Sequence, residues 1–219
     1  MGWLRRRGLL LVLLGLFLAM AAGQAVAGRT DLNAERAEHG VAALPWVAYL
    51  REGHYYEALF ENWESEFLEM GMFVVLTVVL CAEGSAESRR PGARELVDAD
   101  PRAFAYLPDV PWPVRRGGWV LWLYERSLGA AFAILFLLSW IAHAVAGWRT
   151  AQEVDRLHGQ PAQTLGAFVT SPHFWFQTLQ NWQSEFLGIA SMVWLSIYLR
   201  QRGSPESKPV HAPHRDTGR

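Results

Sequence analysis

Hydrophobic positions fall along this chain in four blocks, Leu9–Ala27, Phe67–Ala82, Leu128–Ala146 and Phe186–Leu199. The first and third are long enough to cross a bilayer, since about 20 helical residues span the hydrocarbon core. The second and fourth are short as apolar runs. Each reaches spanning length only when its helix starts earlier, in the polar and aromatic segment ahead of it. Those two lead-in segments repeat one another: HYYEALFENWESEFL at 54–68 returns as HFWFQTLQNWQSEFL at 173–187, a shift of 119 residues. The same shift matches 29 of the first 88 residues, including Ala25-Val26-Ala27-Gly28 with Ala144-Val145-Ala146-Gly147.

This pattern predicts an all-α, polytopic membrane protein with four transmembrane helices formed by two parallel two-helix repeats. The first repeat covers 1–88, with spans at about 9–27 and 63–82. The second covers 120–203, with spans at about 127–147 and 182–200. Between them lies a cytoplasmic linker, 89–119, whose five prolines oppose a continuous helix. The tail, 204–219, is polar and reads as disordered, although Gly84-Ser85 and Glu87-Ser88 return there as Gly203-Ser204 and Glu206-Ser207. Two spans per repeat give both repeats the same orientation, with a pseudo-twofold axis along the membrane normal. Each motif helix is expected to begin near His54 or His173, with Ser171 as an N-cap and Pro172 in the first helical position. An Ala- and Glu-rich piece after Arg29 reads as a short surface helix of its own.

The rival architecture is a soluble bundle of buried helices. Tryptophan placement favours the membrane, because Trp3, Trp63, Trp119, Trp122, Trp148 and Trp182 crowd the ends of the apolar blocks like interfacial belts. Charge then orients the chain. The formal net charge is -1, yet 14 basic residues fall in the N-terminus, linker and tail, against 5 in the other two loops. By the positive-inside rule both termini are cytoplasmic and the duplicated motif lies at the outer face. The basic residues are accounted for by topology, so nucleic acid is not an expected partner. The lipid bilayer is, together with a homo-oligomer or a membrane-protein partner.

The N-terminus also resembles a cleavable signal peptide, with arginines, an apolar run and Ala25-Val26-Ala27. The internal copy of Ala-Val-Ala-Gly favours a retained helix. Gly15, Ala19, Gly23 and Ala27 recur every four residues, a close-packing stripe most simply used against another helix of the chain. Cys81, the only cysteine, reads as a small buried residue.

Candidate chemistry concentrates in the motif. On a helix Asn62 and Glu66 share a face with Ser65 beside them, and Asn181, Ser184 and Glu185 reproduce the cluster. Trp63 with Phe67, and Trp182 with Phe186, form an adjacent interfacial aromatic ridge. His54 and His173 stand at the outer ends of the same stripes as accessory candidates. So do Gln24 and His143, corresponding polar residues near the outer ends of the first and third spans. A carboxylate near hydrocarbon is a default functional candidate, and Glu66 with Glu185 could share a proton or hold a cation if they meet. The alternative is structural: interfacial anchoring and interhelical hydrogen bonds. Glu64 becomes Gln183 in the second copy, so charge is not required there in both halves, and Glu69 becomes Gly188. No metal-ligand spacing, cofactor site or catalytic residue is expected, and Ser65 and Ser184 lack a recognisable base.

With its paired Asn-Trp-x-Ser-Glu-Phe-Leu segments, the chain resembles a DUF6766-like domain of unknown function found in bacterial membrane proteins. The resemblance implies a bacterial inner-membrane protein and carries no substrate, cofactor or catalytic residue. The leading expectation for function is a small, non-enzymatic membrane protein that supports assembly or envelope homeostasis. The alternatives are proton- or cation-coupled transport by an oligomer using Glu66 and Glu185, and a membrane enzyme or cofactor-binding protein.

Overall fold

The computed structural model describes residues 2–218, and among them the fold is all-α, with eight α-helices and no strand. In chain order these are α1 (Trp3–Glu38), α2 (Trp46–Tyr49), α3 (Gly53–Val79), α4 (Trp112–Arg116), α5 (Gly118–Tyr124), α6 (Ser127–Leu157), α7 (Leu165–Val169) and α8 (Pro172–Tyr198). Two 3₁₀ turns, Leu96–Asp98 and Pro101–Phe104, lie in the proline-rich connection between α3 and α4. The motif helices begin where the sequence places them. At α8 the Phe174 backbone N–H donates to Ser171 Oγ at 3.2 Å, with Pro172 opening the helix.

Two expectations change. Among the described residues only α1 and α6, not four helices, are long and apolar enough to cross a membrane. The helices α3 and α8 have the length, 27 residues each, but their first halves hold Glu57, Glu61, Glu64 and Glu66, or Gln177, Gln180, Asn181 and Gln183. Nor is there a separate surface helix after Arg29. Without a proline or a turn signal to stop it, α1 runs on to Glu38 and ends ahead of Gly40, whose φ of 70° closes the helix.

The chain divides into two compact units, Met1–Glu64 with Leu138–Leu179, and Ser65–Leu137 with Gln180–Arg219. The division cuts through α3, α6 and α8. In the first unit Ala25, Leu32 and Tyr49 form one buried cluster, and Ala144, Phe168 and Phe174 another. Their organisation follows from two glycines. The Tyr49 hydroxyl lies where a Cβ on Gly28 would be, and Phe168 Cζ would be 2.7 Å from a Cβ on Gly147. Each short helix, α2 and α7, thus lays an aromatic ring over the glycine of an Ala-Val-Ala-Gly run. Further along α1, the Arg36 guanidinium meets Glu153 of α6 at 2.5 Å.

The second unit packs the C-terminal half of α3 on the N-terminal half of α6, where a Cβ on Gly71 would be 3.1 Å from Phe132 Cβ. Residues 204–218 are laid out in turns around Lys208, which is 2% exposed. Cys81 is exposed rather than buried. The small-residue stripe of α1 is not used as expected either. A Cβ on Gly15 or Gly23 would meet no heavy atom within 4 Å among the described residues.

Candidate functional site

Three helices bring the first unit's most buried ionisable groups together. Glu64 of α3 and His143 of α6 are both fully buried, and His143 Nδ1 lies 3.0 Å from Glu64 Oε2. Phe174 of α8 covers the imidazole at a ring separation of 5.0 Å and touches Trp140 at 5.9 Å. Glu64 Oε1, His143 Nε2, Trp140 Nε1 and Thr178 Oγ1 are buried without a hydrogen-bond partner. A carboxylate buried alone is costly, and an imidazole that bonds one of its oxygens offsets part of that cost. The pair can fasten α3 to α6.

The sequence reading names His143 but sets Glu64 aside because Gln183 replaces it in the second copy. The missed signal is that both members change together. His143 has Gln24 as its counterpart, and Glu64 has Gln183. Gln24 itself is half-buried on α1.

The other candidates scatter. Asn62 is exposed and donates its Nδ2 to Ala58 O at 2.7 Å, whereas Ser65 is 1% exposed and Glu66 is exposed. Asn62 and Glu66 are thus both exposed, and Ser65 beside them is buried. In the second copy Ser184 Oγ donates to Asn181 O at 2.8 Å on the exposed side. The aromatic ridge divides likewise: Trp63 packs on Phe17 at 5.8 Å in the first unit, and Trp182 on Phe136 at 5.8 Å in the second. Phe67 is half-buried and Phe186 is exposed.

His54 is half-buried, with Tyr49 Oη 3.5 Å from its Nδ1 and Asp31 3.9 Å from its Nε2. Burial raises the Tyr49 phenol above its usual range, with Tyr55 and Asp31 adding to the shift. His173 is exposed at the rim of a groove lined also by Glu57, Gly147, Thr150, Asp155 and Phe168. Within the second unit Glu66, Glu69 and Glu185 lie within electrostatic reach of one another, and Glu69 is 4% exposed. No grouping of three or more His, Cys, Asp or Glu side chains suited to a metal ion occurs among the described residues.

A family model described as "Domain of unknown function (DUF6766)" matches residues 1–219. The chain belongs to the DUF6766 family. No curated protein and no solved structure matches it. In this DUF6766 protein the Glu64–His143 pair is a fully buried polar contact of the first unit.

Proposed function

We propose that this protein is an integral protein of the bacterial inner membrane, crossing the bilayer four times as two parallel two-helix repeats. Both termini and the 89–119 segment face the cytoplasm, and both motifs lie at the outer face. One observation carries the membrane reading. The most apolar stretch of α1 has only 6% of its residues buried, and that of α6 17%. A core helix of a soluble protein buries such a stretch, and water rarely meets so continuous an apolar surface. Lipid is the fitting partner. Helices α3 and α8 add the other two spans, each about 40 Å long at 1.5 Å per residue. The matched glycine seats support the repeat. Ala25 packed with Leu32 and Tyr49 supports a retained first helix over cleavage after Ala27.

The role is non-enzymatic in this reading. The chain holds a fixed helix arrangement and serves assembly or envelope homeostasis through a second copy or a membrane-protein partner. The mutual bond of Glu64 and His143 supports it, because the pair acts as an interhelical fastener. Photo-crosslinkers at the exposed Leu13 and Ile141 in the full chain are expected to capture a stoichiometric partner or second copy. Lipid adducts alone would overturn the role. For topology, a cysteine at Glu61 in a Cys81→Ser background is expected to label from outside and one at Arg94 not. The reverse pattern would invert the orientation.

A second reading is proton- or cation-coupled transport by an oligomer, favoured by the proximity of Glu66, Glu69 and Glu185. It expects cation-dependent flux in proteoliposomes that Glu66→Gln and Glu185→Gln each abolish while leaving the fold intact. Flux that persists in both variants would end it.

A further inference from the structure

The loops that follow α3 and α8 are built alike. Gly84 and Gly203 have φ of 85° and 87°. The Glu87 backbone N–H donates to Ser85 Oγ at 3.1 Å, and that of Glu206 to Ser204 Oγ at 3.1 Å. Ala82 N donates to Ser88 Oγ at 2.8 Å, and Gln201 N to Ser207 Oγ at 3.0 Å. The shared Gly-Ser-x-Glu-Ser sequence therefore encodes one loop conformation twice, both copies within the second unit.

The loops differ in what covers them. The first carries the chain's own C-terminal segment. Gly84 N donates to Thr217 Oγ1 at 2.8 Å, Gly218 N donates to Ser85 O at 2.9 Å, and Arg90 Nε donates to Thr217 O at 3.3 Å. Lys208 Nζ donates to the carbonyls of Gly84, His214 and Asp216, closing the segment over the loop. Burial lowers the Lys208 ammonium from its usual range, with Arg200 adding to the effect; the carbonyl cage answers that cost. Gly84, Ser85 and Ala86 are buried as a result.

Among the described residues the second loop has no such cover. Gly203 and Glu206 are exposed, and a Cβ on Gly203 would meet no heavy atom within 4 Å, where one on Gly84 would meet His214 O at 2.6 Å. In its place is an open groove of about 530 Å³. Gly84, Ser85 and Arg90 bond the tail on the first loop, and Glu83 and Pro91 line a cavity there with Arg215, Asp216 and Thr217. The counterparts of these first-loop residues, Arg202, Gly203, Ser204, Pro209 and Val210, all line the groove.

We infer that the second loop is a docking site for the C-terminal segment of a second copy of this chain, residues 208–218, seated as the chain's own segment sits on the first loop. The contacts at the first loop are made chiefly to backbone atoms of Gly84 and Ser85, and the second loop presents the same backbone in the same conformation. Each copy's own segment is placed on its first loop, so the groove is filled by a segment released from that seat in another molecule, or by the same segment supplied as free peptide. Pro209 stands where Arg90 donates its hydrogen bond, so docking in trans is the weaker of the two.

The test is fluorescence anisotropy of a labelled peptide, KPVHAPHRDTGR (residues 208–219), titrated with the full-length protein in detergent micelles. Saturation at one peptide per protomer is expected. Replacing the threonine of the peptide with valine should weaken binding about tenfold, the loss of one hydrogen bond at a cost of about 1.4 kcal/mol. Gly203→Val in the protein should weaken it by at least about the same factor, since valine opposes the positive φ and narrows the groove. Val210→Trp is the second variant: Val210 is exposed, so this change obstructs the groove without touching the interior. Absence of saturable binding would overturn the inference. So would binding that survives both groove variants, or binding equalled by a scrambled peptide.

Discussion

Gly28 beneath Tyr49 and Gly147 beneath Phe168 occupy matching positions on α1 and α6, and the two seats are built in the same way. One helical turn earlier the match ends. There α6 carries His143, fully buried against Glu64, while α1 carries the half-buried Gln24. The seats are set by shape: a ring fits where a glycine leaves out its Cβ, and no other residue serves in either copy. The polar positions differ in chemistry: a carboxylate meets an imidazole at Glu64 and His143, whereas the counterpart positions carry the amides of Gln183 and Gln24. The glycine seats therefore match at these two positions, while the polar positions one turn earlier differ.

The largest effects are expected where that divergence is undone on one side only. His143→Ala or Glu64→Ala leaves a buried polar group without its partner and should cost about 3–5 kcal/mol. Thermal unfolding in detergent, followed by circular dichroism, measures it. The double variant Glu64→Gln/His143→Gln installs the residues found at the counterpart positions, Gln183 and Gln24. It should lie within about 1 kcal/mol of the parent, since an amide pair can exchange a neutral hydrogen bond. A double variant as unstable as the alanine variants would show that amides cannot replace the carboxylate–imidazole contact.

The seats should break equally. Gly28→Val and Gly147→Val each push a side chain into an aromatic ring, and overpacking of this kind costs about 1–3 kcal/mol. A large effect at Gly147 with none at Gly28 would separate the two regions that the geometry joins, and would remove the packing support for the repeat.

The same contrast explains what could be read before the fold was known. The starts of α3 and α8 are legible because a proline, a serine cap and a duplicated motif mark them. His143 is legible as the only histidine inside an apolar block. Glu64 is not, because a comparison of the copies position by position treats its change to Gln183 as loss of charge. Only the parallel change of His143 to Gln24 identifies the two as partners. The C-terminal turns are hidden for a different reason. Lys208 is satisfied by backbone carbonyls, which leave no side-chain pattern in the sequence. The continuation of α1 to Glu38 is hidden because nothing in its sequence signals a stop, so length alone does not separate one helix from two.

The extended ends of α1 and α6 supply the smallest and most local test. Glu153 receives hydrogen bonds from Arg156 at 2.6 and 2.8 Å and from Arg36 at 2.5 Å. The Arg156 hydrogen bond, chief among the causes, and the charges of Arg156 and Arg36 hold its carboxyl below the usual range against the opposing effect of burial. A carboxylate with a depressed folded-state pKa contributes stability that is present above its unfolded pKa and lost as pH falls through the folded one. The unfolded value is about 4.3, so the contribution is intact at neutral pH and falls away only below about pH 4. Arg156 is largely exposed and its bond is weakened by solvent. The bond to Arg36, itself only 10% exposed at the side chain, is the one that ties α1 to α6. Glu153→Gln should therefore lower stability by about 1 kcal/mol at pH 7. The melting temperatures of variant and parent should converge as the pH is lowered from 5 toward 3. The matching position on α1 is Ala34, so this bond has no counterpart at the position 119 residues earlier. A gap that stays constant across that range would mean that Glu153 is held by packing rather than by its charge, and the difference between the two helix ends would then be one of shape, like the seats.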